Sequence, residues 1–258
     1  YKERPMMPVV VTLEALAEAA WLLAGEDSHV VGLKNIEILN GLRFHSDEIQ
    51  TARTHATKTD DHTLDCAFTC DFYNRKGKLL LPDKPYLKTQ VEIAKESRSL
   101  AVSPPPEPSG WTLCWYPESE LVIYHGPVFR CLREFAVEGD QGWGKIVAPP
   151  ASEVGGQRQG SRWVLPAALL DACFFSCGVV LWWNLRGVVA IPDGIGAIRL
   201  ARSPQPGEVC LVHITSRGRE GKLALFDFTV FGEDGSVVLQ VEGYRNVIVA
   251  EAPVDAVS

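Results

Sequence analysis

The residue best placed to do chemistry is Asp171, the single acid within an apolar run from Val164 to Trp183. Leu170 precedes it and Ala172-Cys173-Phe174-Phe175 follow it. Ionising a carboxyl there without a partner is costly, so two readings stand side by side. Either backbone groups satisfy Asp171 and its role is structural, or the carboxyl stays protonated in an apolar pocket and serves as a general acid. His125 precedes Gly126-Pro127 in a turn, where a structural hydrogen bond and a substrate contact suit it equally. Of the other histidines, His29, His45, His55 and His62 stand in polar or strand-edge contexts and read as surface residues, while His213 reads as facing solvent or a neighbour in its strand. Cys173 and Cys177 are one helical turn apart, but no histidine or second cysteine pair accompanies them, so no metal site is expected. Gly139-Asp140-Gln141-Gly142-Trp143-Gly144 has the wrong spacing for a dinucleotide fingerprint, and no cofactor is expected.

The element that must carry Asp171 is a helix. From Pro166 the run has helical length, and proline suits a first turn whose N–H groups have no intrahelical partner. Because it contains Asp171 and stops at Asn184, it reads as a core helix and not as a membrane span. Trp163, Trp182 and Trp183 then read as core or interface aromatics. The chain around it has 258 residues, 46% hydrophobic and 22% charged, with a net charge of −7. That is enough for one large domain or two small ones, and too acidic for a nucleic-acid footprint. Seven scattered cysteines without a C-x-x-C pair read as reduced core thiols, which points to the cytoplasm. No signal-peptide pattern opens the sequence.

A second apolar helix is expected from Val9 to Gly25, with Pro8 at its start and with Glu14 and Glu18 on a solvated outer face. Strand-like runs follow at 29–33, 36–44, 50–59, 64–73 and 78–81, with Asn74-Arg75-Lys76-Gly77 as a hairpin turn. Ser103 to Gly110 is proline-rich and reads as an extended spacer. Residues 149–160 read as a polar loop. Beyond the Asp171 helix a second meander is expected at 187–191, 195–200, 208–215, 223–231 and 237–249, with its hairpin turn at Gly232-Glu233-Asp234-Gly235. Pro8 and Pro166 lie 158 positions apart, as do Gly77 and Gly235, so a helix-then-meander unit occurs twice. At that offset Leu13 stands opposite Asp171, so the acid belongs to the second unit alone.

Three stretches resemble the dehydratase domains of polyketide and polyunsaturated fatty acid synthases. Leu165-Pro166-Ala167-Ala168-Leu169-Leu170-Asp171 is similar to the proline-containing motif whose aspartate is the family's catalytic acid. Tyr124-His125-Gly126-Pro127-Val128-Phe129 is similar to the Tyr-Gly-Pro-x-Phe or His-Gly-Pro-x-Phe motif that borders the substrate tunnel. Tyr1 to Pro8 resembles the end of an H-x3-G-x4-P motif, whose histidine base would stand two residues before Tyr1. Departures are Glu3 where that motif has Gly, Val9 where Gly is common, and Phe175 where Gln or His often follows the acid. Around Pro192 only the aliphatic-Pro pair of a Leu-Pro-Phe-Ser-like motif is kept. Such variation resembles iterative, enediyne-like synthases.

The resemblance implies an α+β double hotdog: two tandem units, residues 1–96 and 116–258, each a long helix wrapped by an antiparallel sheet, joined by a linker at 97–115. It implies elimination of water from a 3-hydroxyacyl thioester carried on the phosphopantetheine of an acyl carrier protein. Asp171 would be the acid, and Pro8, Val9, Tyr124, His125, Gly126, Pro127, Phe175 and Pro192 would line the substrate site. The thioester oxygen would sit at the amino end of the first helix, provided Val9 needs no positive φ. Arg130 and Arg133 would form the basic patch for the carrier. A homodimer within a larger synthase is implied, with no nucleic acid or membrane as partner. The alternatives are an inactive dehydratase-like structural or acyl-binding domain and a hotdog thioesterase.

Overall fold

The computed structural model describes residues 5–44, 49–74, 77–116, 125–155, 163–185 and 187–251. Helix α1 (Val9–Ala24) starts behind Pro8, whose carbonyl accepts the N–H groups of Val11 and Thr12 at 3.1 and 3.3 Å. It stops at Gly25, where φ is 99° and the N–H returns to Trp21 O at 3.0 Å. Glycine takes that conformation without a Cβ clash. Val10, Leu13, Leu16, Ala17 and Ala20 are buried, and Glu14 is buried among them. The expectation of a solvated Glu14 is therefore wrong: the residue lies on the same helical stripe as Val10 and Ala17, and that stripe faces the core.

A short helix, α2 (Ala151–Gly155), occupies the first part of the stretch read as a loop. Helix α3 (Ala167–Leu185) carries Asp171, and its first turn closes with Leu170 N–H on Pro166 O at 2.9 Å. It is long and apolar enough to cross a membrane. Here, however, Ala168, Cys173, Cys177 and Val180 are buried on different sides of it, as in a core helix.

The strands are β1 (His29–Ile38), β2 (Ala52–Lys58), β3 (Thr63–Tyr73), β4 (Leu79–Ala94), β5 (Thr112–Leu113), β6 (Leu132–Glu138), β7 (Gln141–Val147), β8 (Val188–Leu200), β9 (Val209–Glu220), β10 (Leu223–Phe231) and β11 (Val237–Glu251). The runs expected at 29–33 and 36–44 instead give one strand that ends at Ile38, and those at 187–191 and 195–200 merge into β8. Among the described residues all strands form one sheet, ordered β2-β3-β4-β1-β8-β11-β10-β9-β7-β6-β5. α1 packs on the β2–β3–β4–β1 part and α3 on β6 to β10. The seam is the antiparallel pair β1–β8, with Leu33 opposite Ile198 and Ile36 opposite Ile195. Gly32 makes that seam possible, since a Cβ there would stand 2.8 Å from Ile198 O.

Two glycines on β7 bring α3 down onto the sheet. A Cβ on Gly142 would collide with Val180 Cγ2 of α3, and one on Gly144 would stand 3.2 Å from Ser176 Oγ of the same helix and 2.8 Å from Leu132 Cδ1 of β6. The proline-rich segment lies against the second unit. Ser109 donates its N–H and its hydroxyl to Glu138 Oε1 at 2.7 and 2.6 Å, and Lys145 Nζ sits 4.2 Å from the centre of the Trp111 ring. All seven cysteines are free.

Candidate active site

Asp171 lies in the second turn of α3 with 16% of its side chain exposed. Its Oδ2 is buried and makes no hydrogen bond among the described residues, and burial pushes the carboxyl pKa up to about 7. A group so placed keeps its proton a large part of the time in neutral water, about half at pH 7, where an ordinary carboxyl has lost it. The protonated form is the state a general acid needs. His125 faces it, with Nε2 3.5 Å from Asp171 Oδ2 and 12% of its side chain exposed. That separation is just longer than a working hydrogen bond, as catalytic contacts often are before substrate closes the site.

The turn presenting His125 is built from local chemistry. Gly126 opens a single 3-10 turn at Pro127–Phe129, closed by Phe129 N–H on Gly126 O at 2.9 Å. Arg130 Nε donates to His125 O at 3.0 Å. The imidazole then enters an aromatic slot. Phe175, one helical turn beyond Asp171, lies 4.7 Å from it between ring centres, and Tyr116 lies 5.9 Å away at a steep angle. Tyr116 and Phe175 themselves stack at 5.0 Å and 19°. The position where a polar partner was expected on the helix thus holds an aromatic wall, and the polar partner arrives from the loop.

The amino end of α3 is tied to the other unit. Glu14, 1% exposed, accepts the N–H of Val164 at 2.8 Å and that of Leu165 at 2.6 Å. A carboxylate on those groups satisfies two backbone donors of the segment that leads into the helix and lies near the positive end of its dipole.

The structure brings His125 and Phe175 to Asp171, with Gly126 and Pro127 in the same turn. Tyr124 lies outside the described residues. Pro8 and Val9 form the amino end of α1, and Val9 does not adopt positive φ, so the strain that valine would suffer there does not arise. Pro192 lies on β8 opposite Asn246 of β11. No hydrogen bond, ion pair or ring contact links Pro8, Val9 or Pro192 to Asp171 among the described residues. Behind the His125 turn is a cavity of about 390 Å³ lined in part by Val128, Arg130, Cys131, Arg133 and Glu153. Sequence reasoning missed Tyr116 and Glu14. The signal for Glu14 was its place on the apolar stripe, whereas nothing local marks Tyr116.

The family model described as "Polyketide synthase dehydratase N-terminal domain" matches residues 96–255, more than half of the chain. The chain belongs to the polyketide synthase dehydratase family. No curated protein matches it in sequence. Among solved structures, the dehydratase domain of RzxB from Pseudomonas fluorescens aligns with a TM-score of 0.70 at 15% identity, over 93% of this chain and 85% of that one. The dehydratase domain from the CurF module of curacin polyketide synthase gives 0.72 at 16%, over 96% and 85%. A trans-acyltransferase polyketide synthase enoyl-isomerase gives 0.67 at 13%, over 95% and 92%. At these identities the likeness establishes a hotdog-like dehydratase fold, one that hosts an isomerase as well, so chemistry within the family rests on the residues at the site.

Proposed function

We propose that this dehydratase-family chain is an active double hotdog that removes water from a 3-hydroxyacyl thioester delivered by an acyl carrier protein, within an iterative polyketide or fatty acid synthase. The observation that carries the reading is the buried carboxyl of Asp171, its pKa raised by burial, facing His125. In the reaction a base takes the α-proton, the electron pair forms the new double bond, and the C–O bond breaks as Asp171 gives its proton to the departing hydroxyl. Water leaves and a 2-enoyl thioester remains. The base in this reading is the histidine of the H-x3-G-x4-P motif, upstream of Tyr1. Backbone N–H groups at the amino end of α1, beside Val9, are free of intrahelical partners and suit the developing enolate oxygen.

In this reading Asp171 and the α1 backbone act together with the upstream histidine, and the elimination calls for no cofactor. Arg130 and Arg133 beside the cavity support delivery from an acidic carrier. Free cysteines throughout support a reducing, cytoplasmic setting. Assembly as a homodimer with other synthase domains belongs to the same reading.

The test is to incubate the chain together with its upstream segment and a 3-hydroxyacyl phosphopantetheine thioester, and to follow the product by mass and absorbance beside Asp171→Asn. Loss of the mass of one water by wild type, abolished in Asp171→Asn with the fold intact, supports the reading. An unchanged mass with a shifted double bond of an enoyl substrate marks an isomerase, free acid marks a thioesterase, and binding without conversion marks an inactive acyl-binding domain.

A further inference from the structure

Tyr116 stands just ahead of the His125 turn and is held to the sheet at its far end. Its hydroxyl accepts the N–H of Leu132 at 2.8 Å and donates to Leu132 O at 3.3 Å. Leu132 is the first residue of β6, and its side chain lies within the Gly144 contact under α3, so the anchor is a rigid one. From that anchor the Tyr116 ring stacks on Phe175 and turns its edge to His125. The Arg130 guanidinium sits 5.9 Å from the same ring while its Nε holds the His125 carbonyl. The imidazole is therefore fixed from several directions, and the nitrogen left facing the carboxyl is Nε2.

We propose that Tyr116 is a positioning residue: by locking the His125 imidazole in the slot it shares with Phe175, it makes His125 and Asp171 titrate as one pair sharing a proton. The proposal rests on Asp171 being the acid of the reaction. Shared titration is what two ionisable groups in contact give, and it fails when their rings and carboxyls wander. The surroundings favour it. Among the described residues, titratable groups that act on Asp171 include Cys131 behind the turn, Cys173 on α3 and Tyr244 on β11, each kept neutral by burial. Charged neighbours are Arg130, with Arg133 and Glu153 further off beside Cys131.

The experiment needs no turnover. In the whole chain labelled with nitrogen-15 histidine, the His125 ring is followed against pH, its signal assigned by its loss in His125→Gln. With Tyr116 present, Asp171→Asn should change the proton affinity of His125 by about tenfold or more, one pKa unit. In Tyr116→Leu the same substitution should change it less than threefold. Tyr116→Phe, which keeps the ring and loses only the anchor to Leu132, should at least halve the shift in pKa, and it decides the matter if the leucine variant does not fold. An equal shift in all backgrounds overturns the role of Tyr116. No shift even with Tyr116 present overturns the pair itself. Because the readout is titration, absence of dehydration would count against the proposed function without touching this result.

Discussion

Glu14 Oε2 accepts the Leu165 N–H at 2.6 Å across 151 positions of sequence, joining the first helix to the amino end of the helix that carries Asp171. With Val164 also bound, one buried carboxylate satisfies two backbone donors. Glu14→Ala leaves both unpaired in the core and should destabilise the chain by about 3 kcal/mol or more, and Glu14→Gln by roughly half as much. Urea unfolding followed by fluorescence reads this as a lower midpoint. An unchanged midpoint in Glu14→Ala would mean that the contact contributes nothing.

Asp171 should make the protein less stable as pH rises. Its carboxyl pKa is raised from 3.8 to about 7, so between those values the native state holds a proton that the unfolded chain has released. Stability from this group is then full below about pH 4 and falls until about pH 7, by up to about 4 kcal/mol. Asp171→Asn, which cannot ionise, should match wild type near pH 4 and exceed it at pH 8. Thermal unfolding of both proteins at the two pH values measures the difference. A constant gap would show that the native carboxyl ionises normally.

Gly142→Ala should cost about 1–3 kcal/mol, because its methyl would occupy the place of Val180 Cγ2 and push α3 away from β7. Val180→Ala in the same chain should recover part of the loss by opening the space. Denaturant midpoints of the single and double variants check this, and simple additivity of the two losses would refute the close contact as the cause.

Local signals made much of the fold legible. Apolar periodicity and the flanking prolines gave both long helices to within a few residues, and the two hairpin turns follow from Gly77 and Gly235, which have φ of 75° and 76°. β10 has the bounds its apolar run suggests. The lone acid in an apolar run was likewise visible from neighbours alone.

What the sequence by itself determined, then, is the two long helices, the two hairpin turns and the unusual environment of Asp171, since all of these depend on residues within a few turns of one another; the short helix α2 was not among them. Only the tertiary structure decided that β1 pairs with β8 to close one sheet, and that Glu14 points inward to α3. It also decided that His125 and Tyr116 meet Phe175 and Asp171. Those contacts join residues about 50 to 170 positions apart. Such pairings are selected by the packing of whole surfaces, where a partner's identity is set by register and shape and leaves no periodic trace in either segment.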